Sequence, residues 1–203
     1  MTKYEQIVTK YGPRFMTDLG LTKEQVAGIF GNFYVETGGF TLLQEQKPLI
    51  AGSKGGWGWA QWTGPRRRAF EKWADANGFD RSAEETNYQY VLLELNGPEK
   101  NALIQLKKTT TSKTAAETFC AKFERPGIPH MDRRIRAAAV ALEYLNKKPS
   151  VVKAEDATTG GVVAGTAGAS LQFPEYAPYI IVGGFALALV VYFGIRWYKN
   201  RNV

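Results

Sequence analysis

The stretch GIFGNFYVETGGF, residues 28–40, decides the fold because it holds an apolar predicted helix with an acid at its end. Thr22 and Gln25 precede it by a few residues and predict a capping box, which marks the start of the helix. The apolar residues of the helix share one face: Val26, Ile29, Phe30 and Phe33. The two glycines after Thr37 predict the end of the helix, so Glu36 lies in its last turn.

The position of Glu36 favours a chemical role. A carboxylate at a helix C-terminus meets the negative end of the helix dipole, and aromatic neighbours indicate poor hydration. We therefore expect Glu36 to stay protonated near neutral pH, as the general acid of glycoside cleavage must. The alternative is a solvated helix-end glutamate that ionises in the usual way, and the position alone does not decide between the two.

The composition excludes several other chemistries. The chain has one cysteine and one histidine, which rules out an internal disulfide framework and most zinc sites. No metal or organic cofactor is expected for the activity inferred below. The net charge is +7, and residues 1–150 hold 22 Lys or Arg against 16 Asp or Glu. A basic domain attracts nucleic acid, anionic lipid or bacterial cell wall. Nucleic acid ranks low because no basic stretch is interleaved with aromatic residues in a recognisable binding motif.

Residues 1–148 form one predicted domain of mainly α class, with at most a small β-hairpin. Gly64-Pro65 predicts the start of a helix, with proline at its first position. Ser82 and Glu85 predict a second capping box before another apolar helix. The segment 40–62 is irregular and rich in glycine and tryptophan, so the hairpin is placed there.

The composition changes after the predicted domain. Residues 149–175 include ATTGGVVAGTAGAS at 157–170, a stretch of small and uncharged residues, and they are predicted to form a flexible linker. Residues 176–198 follow as a predicted transmembrane helix, with a core of about 20 uncharged residues and aromatic residues near both ends. The alternative is a buried core helix. The basic tail 199–203 places the C-terminus on the cytoplasmic side and the domain on the far side. No N-terminal signal peptide is visible, so the route across a membrane is unexplained unless the membrane belongs to a virus particle.

Three motifs resemble one family. GIFGNFYVETGGF is followed by GGWGWAQWTGPRRRAFEKWA at residues 55–74 and by FERPGIPHMDRRIRAA at residues 123–138. In this order and spacing they resemble the phage tail lysozyme family of the lysozyme and lytic-transglycosylase superfamily, over roughly residues 20–146. Thr37 replaces the serine of the family's Glu-Ser-Gly pattern and keeps a hydroxyl.

The resemblance implies a lysozyme-like fold and roles for individual residues. It makes Glu36 the catalytic acid and places Gln61 beside the bond to be cut. We assign Thr37, Gln61, Trp59 and Trp62 to substrate binding. The indoles of Trp57, Trp59 and Trp62 could stack on sugar faces, although core packing is the default for tryptophan.

Two further groups of residues carry weaker expectations. Arg66, Arg67 and Arg68 crowd a helix N-terminus and indicate either an exposed basic rim for anionic wall polymer or a solvated face. The pair Glu124-Arg125 is expected to fix the fold through hydrogen bonds rather than to take part in chemistry.

The sequence leaves open whether a second carboxylate takes part in catalysis. Glu45 lies nine residues after Glu36 and could position water for inverting hydrolysis if the two carboxyl groups stood about 6.5–9.5 Å apart. Otherwise Glu36 acts alone, first as acid and then as base, and closes a 1,6-anhydro ring as lytic transglycosylases do. The motifs lean toward the second scheme.

The expected activity is cleavage of the bond between N-acetylmuramic acid and N-acetylglucosamine. The expected partners are peptidoglycan strands, a lipid bilayer and virion proteins, in a virion membrane or the host inner membrane. An entry enzyme is favoured over an endolysin for host lysis.

Two rival hypotheses are a wall peptidase that uses Cys120 and His130, and a non-catalytic wall-binding membrane protein. Cys120 fits better as a core residue, since it shares an apolar helix face with Phe119 and Phe123.

Overall fold

The computed structural model describes residues 1–45 and 53–147 of the 203-residue chain. The described residues form seven α-helices and one π-helical turn, which is Cys120–Glu124. The α-helices are α1 (Lys3–Leu19), α2 (Lys23–Thr37), α3 (Gly64–Ala76), α4 (Glu84–Asn96), α5 (Lys100–Leu106), α6 (Ser112–Phe119) and α7 (Met131–Asn146). The prediction of a mainly helical domain is confirmed for this part of the chain.

The predicted linker 149–175, membrane helix 176–198 and tail 199–203 lie outside the described residues. Within the parts that the structure describes, every helix is too short or too polar to cross a membrane.

Helix α2 lies at the centre of the fold. Its residues 25–33 are all buried, and it packs against α1, α6 and α7. The capping box of Thr22 and Gln25 is confirmed, and the left-handed residue Gly38 ends the helix with φ of 57°. These local signals place Glu36 in the last turn, as predicted.

Two glycines of α2 let the neighbouring helices approach closely. A Cβ atom at Gly28 would lie 2.5 Å from Ala115 Cβ in α6. One at Gly31 would lie 2.5 Å from the carbonyl oxygen of Arg134 in α7. Real side chains do not tolerate such distances to backbone atoms, so α7 can hold this position only against glycine.

An aromatic cluster fills the core around α2. Its rings come from helices and loop segments far apart in sequence and meet edge to face or tilted, for example Phe15 on Phe30 at 5.7 Å and Tyr11 on Trp59 at 5.1 Å between ring centroids. Burying a side chain of this size contributes roughly 1.5–3 kcal/mol. The main members are Tyr11, Phe15, Phe30, Phe33, Phe40, Trp59, Tyr88 and Phe119.

The segment predicted to hold a hairpin forms isolated antiparallel bridges. Gln44 pairs with Trp57, and Trp57 pairs with Trp62. The described residues of this segment contain no strand beyond these single-residue bridges. The bridges fold the chain back on itself, so that Trp59 and Trp62 point into the core.

The predicted capping box at Ser82 and Glu85 is wrong. Helix α4 begins at Glu84 without a side-chain cap. The backbone N–H and hydroxyl of Ser82 both donate to Asp80 Oδ1, at 2.8 and 2.7 Å. Arg14 of α1 binds both oxygens of Glu85, at 2.6 and 2.7 Å. Both members of the expected box therefore have other partners.

Replacing Gly31 with alanine should destabilise the protein. Alanine would gain up to about 1 kcal/mol of helix propensity, but the contact with the Arg134 carbonyl forces backbone movement, and overpacking of this kind costs roughly 1–3 kcal/mol. We expect a net loss of about 1–2 kcal/mol in urea unfolding. Gly127→Ala is the control, since nothing lies within 4 Å of its added Cβ. Equal stability of the two variants would contradict this account of the α2–α7 contact.

Candidate active site

Glu36 meets a buried cation rather than only aromatic neighbours. Its side chain is 18% exposed, and its Oε1 accepts a hydrogen bond of 2.6 Å from Nη2 of Arg134. Among the described residues, Oε2 of Glu36 has no hydrogen-bond partner. One oxygen is thus held by a guanidinium, and the other remains available for proton transfer.

Arg134 is fixed on every side. It is 1% exposed, and each of its guanidinium nitrogens has an acceptor. Nε donates to the carbonyl of Pro129 at 2.6 Å, and Nη1 donates to Asn32 Oδ1 at 2.9 Å. Asn32 in turn donates to the carbonyl of Ala116 in α6 at 3.0 Å. The network therefore ties α2, α6 and α7 together around Glu36.

Sequence reasoning missed Arg134. One signal could have found it: Arg134 stands in helical register with Ala138 and Ala141, both completely buried. An arginine within an apolar stripe needs a buried acceptor, because an unpaired buried charge is very costly. Glu36 supplies that acceptor.

Thr37 serves the helix end and not a substrate. Its side chain is completely buried. Oγ1 donates to the Phe33 carbonyl and accepts from the Phe40 amide, both at 2.7 Å. These two hydrogen bonds fix the backbone where the chain leaves α2. Because the buried Thr37 side chain cannot contact a sugar, its assignment to substrate binding is corrected.

Trp59 and Trp62 are core residues. Each is 1% exposed, so neither ring presents a face to a sugar, and the expected stacking role is corrected. Trp62 stacks on Phe70 at 4.8 Å between ring centroids, and its Nε1 donates to Glu94 at 2.6 Å. Trp59 packs edge to face on Phe40 at 5.2 Å.

Gln61 organises the loop between the bridges. It is half-buried and adopts a left-handed backbone with φ of 44°. Its Nε2 donates to the carbonyls of Leu43 and Gly58, each at 3.0 Å. These bonds join two parts of the loop, and the expected place of Gln61 beside the scissile bond stays a prediction.

Glu45 is bonded within the same loop. Its Oε2 accepts from the Gly56 amide at 2.8 Å, and its own amide donates to the Gly56 carbonyl at 2.9 Å. The carboxylate is half-buried and has a structural partner. Its role as a second catalytic carboxylate stays a prediction.

The expected basic rim is reduced to one arginine. Arg66 binds both oxygens of Glu94, at 2.9 and 2.8 Å, and donates to the Phe123 carbonyl. Arg67 is buried and donates to Glu71 at 2.9 Å. Only Arg68 is exposed without a side-chain bond among the described residues. Two of the three arginines are therefore structural.

Glu124 is an unexpected member of this polar region. It ends the π-helical turn, and its Oε1 is buried without a hydrogen-bond partner among the described residues. Burial raises the pKa of the Glu124 carboxyl well above its ordinary value, and the charge of Glu36 raises it further, against Arg66 and Arg134. Those two arginines already bind Glu94 and Glu36. Glu124 is thus a carboxyl that no cation of the described residues binds directly.

The expectation for the pair Glu124-Arg125 is half confirmed. Arg125 binds both oxygens of Glu99, each at 2.8 Å, and so joins the π-helical turn to the start of α5. Oε1 of Glu124 forms no such bond within the described part of the chain. Nearness to Glu36 makes Glu124 part of the electrostatic environment of the candidate acid.

The described residues offer little support for other chemistries. Cys120 is 3% exposed, and burial raises the pKa of its thiol, which disfavours the nucleophilic thiolate. The expected place of Cys120 in the core is confirmed. In residues 1–45 and 53–147, no three His, Cys, Asp or Glu side chains converge as a metal site requires.

A family comparison agrees with this geometry. The family described as phage tail lysozyme matches residues 8–145. The match begins within α1, ends within α7 and includes Glu36, Glu124 and Arg134. A comparison with curated proteins found no match.

Replacing Arg134 with lysine should destabilise the protein although it keeps the charge. One ammonium group cannot serve Glu36, Asn32 and Pro129 together, and an unmet bond to a charged group costs on the order of 1.5–3 kcal/mol. We expect a loss of about 2–4 kcal/mol in urea unfolding. Arg136→Lys, on the exposed side of the same helix, should stay within about 0.5 kcal/mol of wild type. Similar losses in both variants would refute the network.

Glu124 should make stability fall as pH rises. Its pKa in the folded protein lies above the ordinary 4.5. At pH values between 4.5 and this raised pKa, the Glu124 carboxyl keeps a proton in the folded state that it has lost in the unfolded chain. The free energy of unfolding then decreases with pH, by up to about 1.4 kcal/mol per unit. Glu124→Gln removes this dependence, so its stability relative to wild type should increase between pH 5 and pH 7.5.

Glu99 provides a control of opposite sign for that measurement. The bond from Arg125 lowers the pKa of Glu99 below 4.5, so Glu99 contributes stability above that value and loses it as pH falls through the lowered pKa. Glu99→Gln should therefore be less stable than wild type at both pH 5 and pH 7.5. A constant difference between Glu124→Gln and wild type across the two pH values would show that Glu124 ionises normally.

Proposed function

Because the chain belongs to the phage tail lysozyme family, we propose that it cleaves the β-1,4 bond between N-acetylmuramic acid and N-acetylglucosamine with Glu36 as general acid. Membership of the family indicates a lysozyme-like function on peptidoglycan. The observation that carries the finer proposal is the carboxyl of Glu36, which Arg134 holds by one oxygen at the end of α2.

The proton transfer uses the two oxygens of Glu36 differently. The form of Glu36 that reacts carries a proton on Oε2, and it donates this proton to the glycosidic oxygen as the bond to the sugar carbon breaks, so that the leaving sugar departs as an alcohol. Glu36 becomes a carboxylate in this step. The contact from Arg134 to Oε1 strengthens as that charge develops, because a bond between a cation and a neutral carboxyl becomes an ion pair. Arg134 thus favours the transition state over the ground state.

Completion of the reaction follows one of two routes. In the favoured route, the Glu36 carboxylate takes the proton from the C6 hydroxyl of the muramic acid residue, and that oxygen attacks C1 to close the 1,6-anhydro ring. In the other, a water molecule attacks C1, and Glu45 accepts the water's proton. The bond from the Gly56 amide to Glu45 favours the first route, since Glu45 already has a loop partner.

The sequence supports a membrane-tethered enzyme. The predicted membrane helix 176–198, with its uncharged residues 176–195, and the preceding linker 149–175 fit a lytic domain that is anchored to a bilayer through a flexible segment. A virion-associated entry enzyme, facing the cell wall, uses this arrangement best. The rival roles are an endolysin for host lysis and a non-catalytic wall-binding protein. A peptidase is disfavoured because Cys120 is buried.

Glu36→Gln tests the catalytic proposal. The amide keeps an acceptor for Arg134, so the variant should fold and still bind peptidoglycan. Without a proton to donate, it should release soluble muropeptides about 10²–10⁴-fold more slowly than wild type. Retained release at the wild-type rate would exclude Glu36 as the acid.

Glu45→Gln is the matched control for that variant and separates the two routes. In the one-acid route its release rate should stay within about threefold of wild type, well short of the loss that an acid or base causes. Mass spectrometry should then find anhydro ends on the products. Reducing ends together with a large loss in Glu45→Gln would establish hydrolysis with two carboxylates.

A further inference from the structure

A cavity of about 510 Å³ lies between the start of α1, the end of α2 and α7. Its volume falls in the range of small-ligand sites, roughly 300–1,000 Å³. The residues that line it include Lys3, Tyr34, Gly39, Arg133, Arg136 and Tyr144. Glu36 is not among the lining residues, so the cavity is a second site.

The cavity has a strongly positive lining. Lys3, Arg133 and Arg136 line it, and no acidic residue of the described chain does. Lys3 pairs with Glu84, whereas the two arginines are exposed and have no carboxylate partner among the described residues. The N-terminus of α1, a helix of 17 residues, opens at the same place and adds the positive end of its dipole. These features favour an anionic ligand.

Three tyrosine rings form another part of the wall. Tyr4 contacts Tyr34 at 4.8 Å and Tyr144 at 5.9 Å between ring centroids. Its hydroxyl donates to the Ala137 carbonyl at 2.9 Å, so Tyr4 cannot turn away. Tyr34 and Tyr144 are half-buried and expose part of their rings. An aromatic wall beside cations suits a ligand with both carboxylates and apolar groups, such as a short peptide.

The cavity is close to Glu36 in sequence but lies on the other side of the C-terminal end of α2. Tyr34 and Glu36 are two positions apart on a helix, so their side chains diverge by about 200°. Gly38 and Gly39, which follow Glu36 almost directly, line the cavity. A ligand bound at both places must pass over the end of a helix about 10–12 Å across. An extended peptide covers this distance with three to four residues, at about 3.3–3.6 Å each.

We propose that this cavity binds the peptide branch of peptidoglycan through its carboxylates while the glycan strand lies at Glu36. The inference rests on the proposed function and adds a substrate preference to it. The branch starts at the lactyl group of muramic acid, one of the two sugars at the scissile bond. Arg133 and Arg136 recognise its carboxylates, and the tyrosines pack against its side chains.

The test compares two substrates and two double variants of the full-length chain. One substrate is purified peptidoglycan, and the other is the same glycan after an amidase has removed the peptides. Wild type should show the lower KM on the peptide-bearing glycan. Arg133→Gln with Arg136→Gln should raise that KM roughly five- to tenfold, since two surface charge contacts are lost. The same variant should leave the KM on stripped glycan unchanged.

Lys107→Gln with Lys108→Gln is the matched control. It removes the same charge from two exposed positions just after α5 and should keep the wild-type preference. Three outcomes would overturn the proposal: equal KM values of wild type on both substrates, an equal rise on both substrates in the cavity variant, or the same rise in both double variants.

A binding measurement separates this proposal from the proposed function. A synthetic muramyl dipeptide is titrated into wild type and the cavity variant, and the ring signals of Tyr34 and Tyr144 are followed by nuclear magnetic resonance. Shifts in wild type that vanish in the cavity variant support the site even if no glycan is cleaved. Unchanged signals in wild type refute it even if Glu36 proves to be the acid.

Discussion

The close approach of α7 to α2 at Gly31 is the constraint on which the rest of the site depends. It sets the backbone of Arg134 against α2, five residues before Glu36, and this separation is about 7.5 Å along a helix. A long arginine side chain can cover that distance, whereas a bulkier residue at position 31 would move α7 away. The parallel contact of Gly28 with α6 brings the Ala116 carbonyl to Asn32. Packing by small residues therefore creates the polar network.

The polar network is stable only because it is almost complete. A buried guanidinium loses its hydration, and that cost is offset only when its donors are all bonded. Arg134 nearly meets this condition, because each of its three guanidinium nitrogens has an acceptor on α2 or on the loop before α7. Glu124 is the exception, since its Oε1 is buried without a hydrogen-bond partner among the described residues and burial raises the pKa of its carboxyl. A region of this kind, set in an aromatic core, adds specificity of position at some cost in stability.

Local signals in the sequence predict the ends of the helices well. The capping box at Thr22, the glycine end at Gly38 and the proline start of α3 depend on neighbouring residues only. The site itself depends on distant partners, since Arg134 and Glu36 are separated by 98 positions. Distant partners also bind Glu85 of the failed capping box, through Arg14, and make Trp59 and Trp62 core residues. Whether an indole meets a sugar or the core is decided by tertiary packing, which short motifs do not encode.

The guanidinium at Glu36 changes the physical account of the acid. Poor hydration and the helix dipole alone would make the carboxyl a reluctant donor, because they oppose the charge that forms when the proton leaves. Arg134 acts in the other direction and stabilises that charge at one oxygen only. The end of α2 is therefore asymmetric: one face holds an acid against a buried cation, and the other opens toward exposed arginines and tyrosines. A branched polymer with a neutral glycan and an anionic peptide has the same asymmetry, so one helix end can recognise both parts.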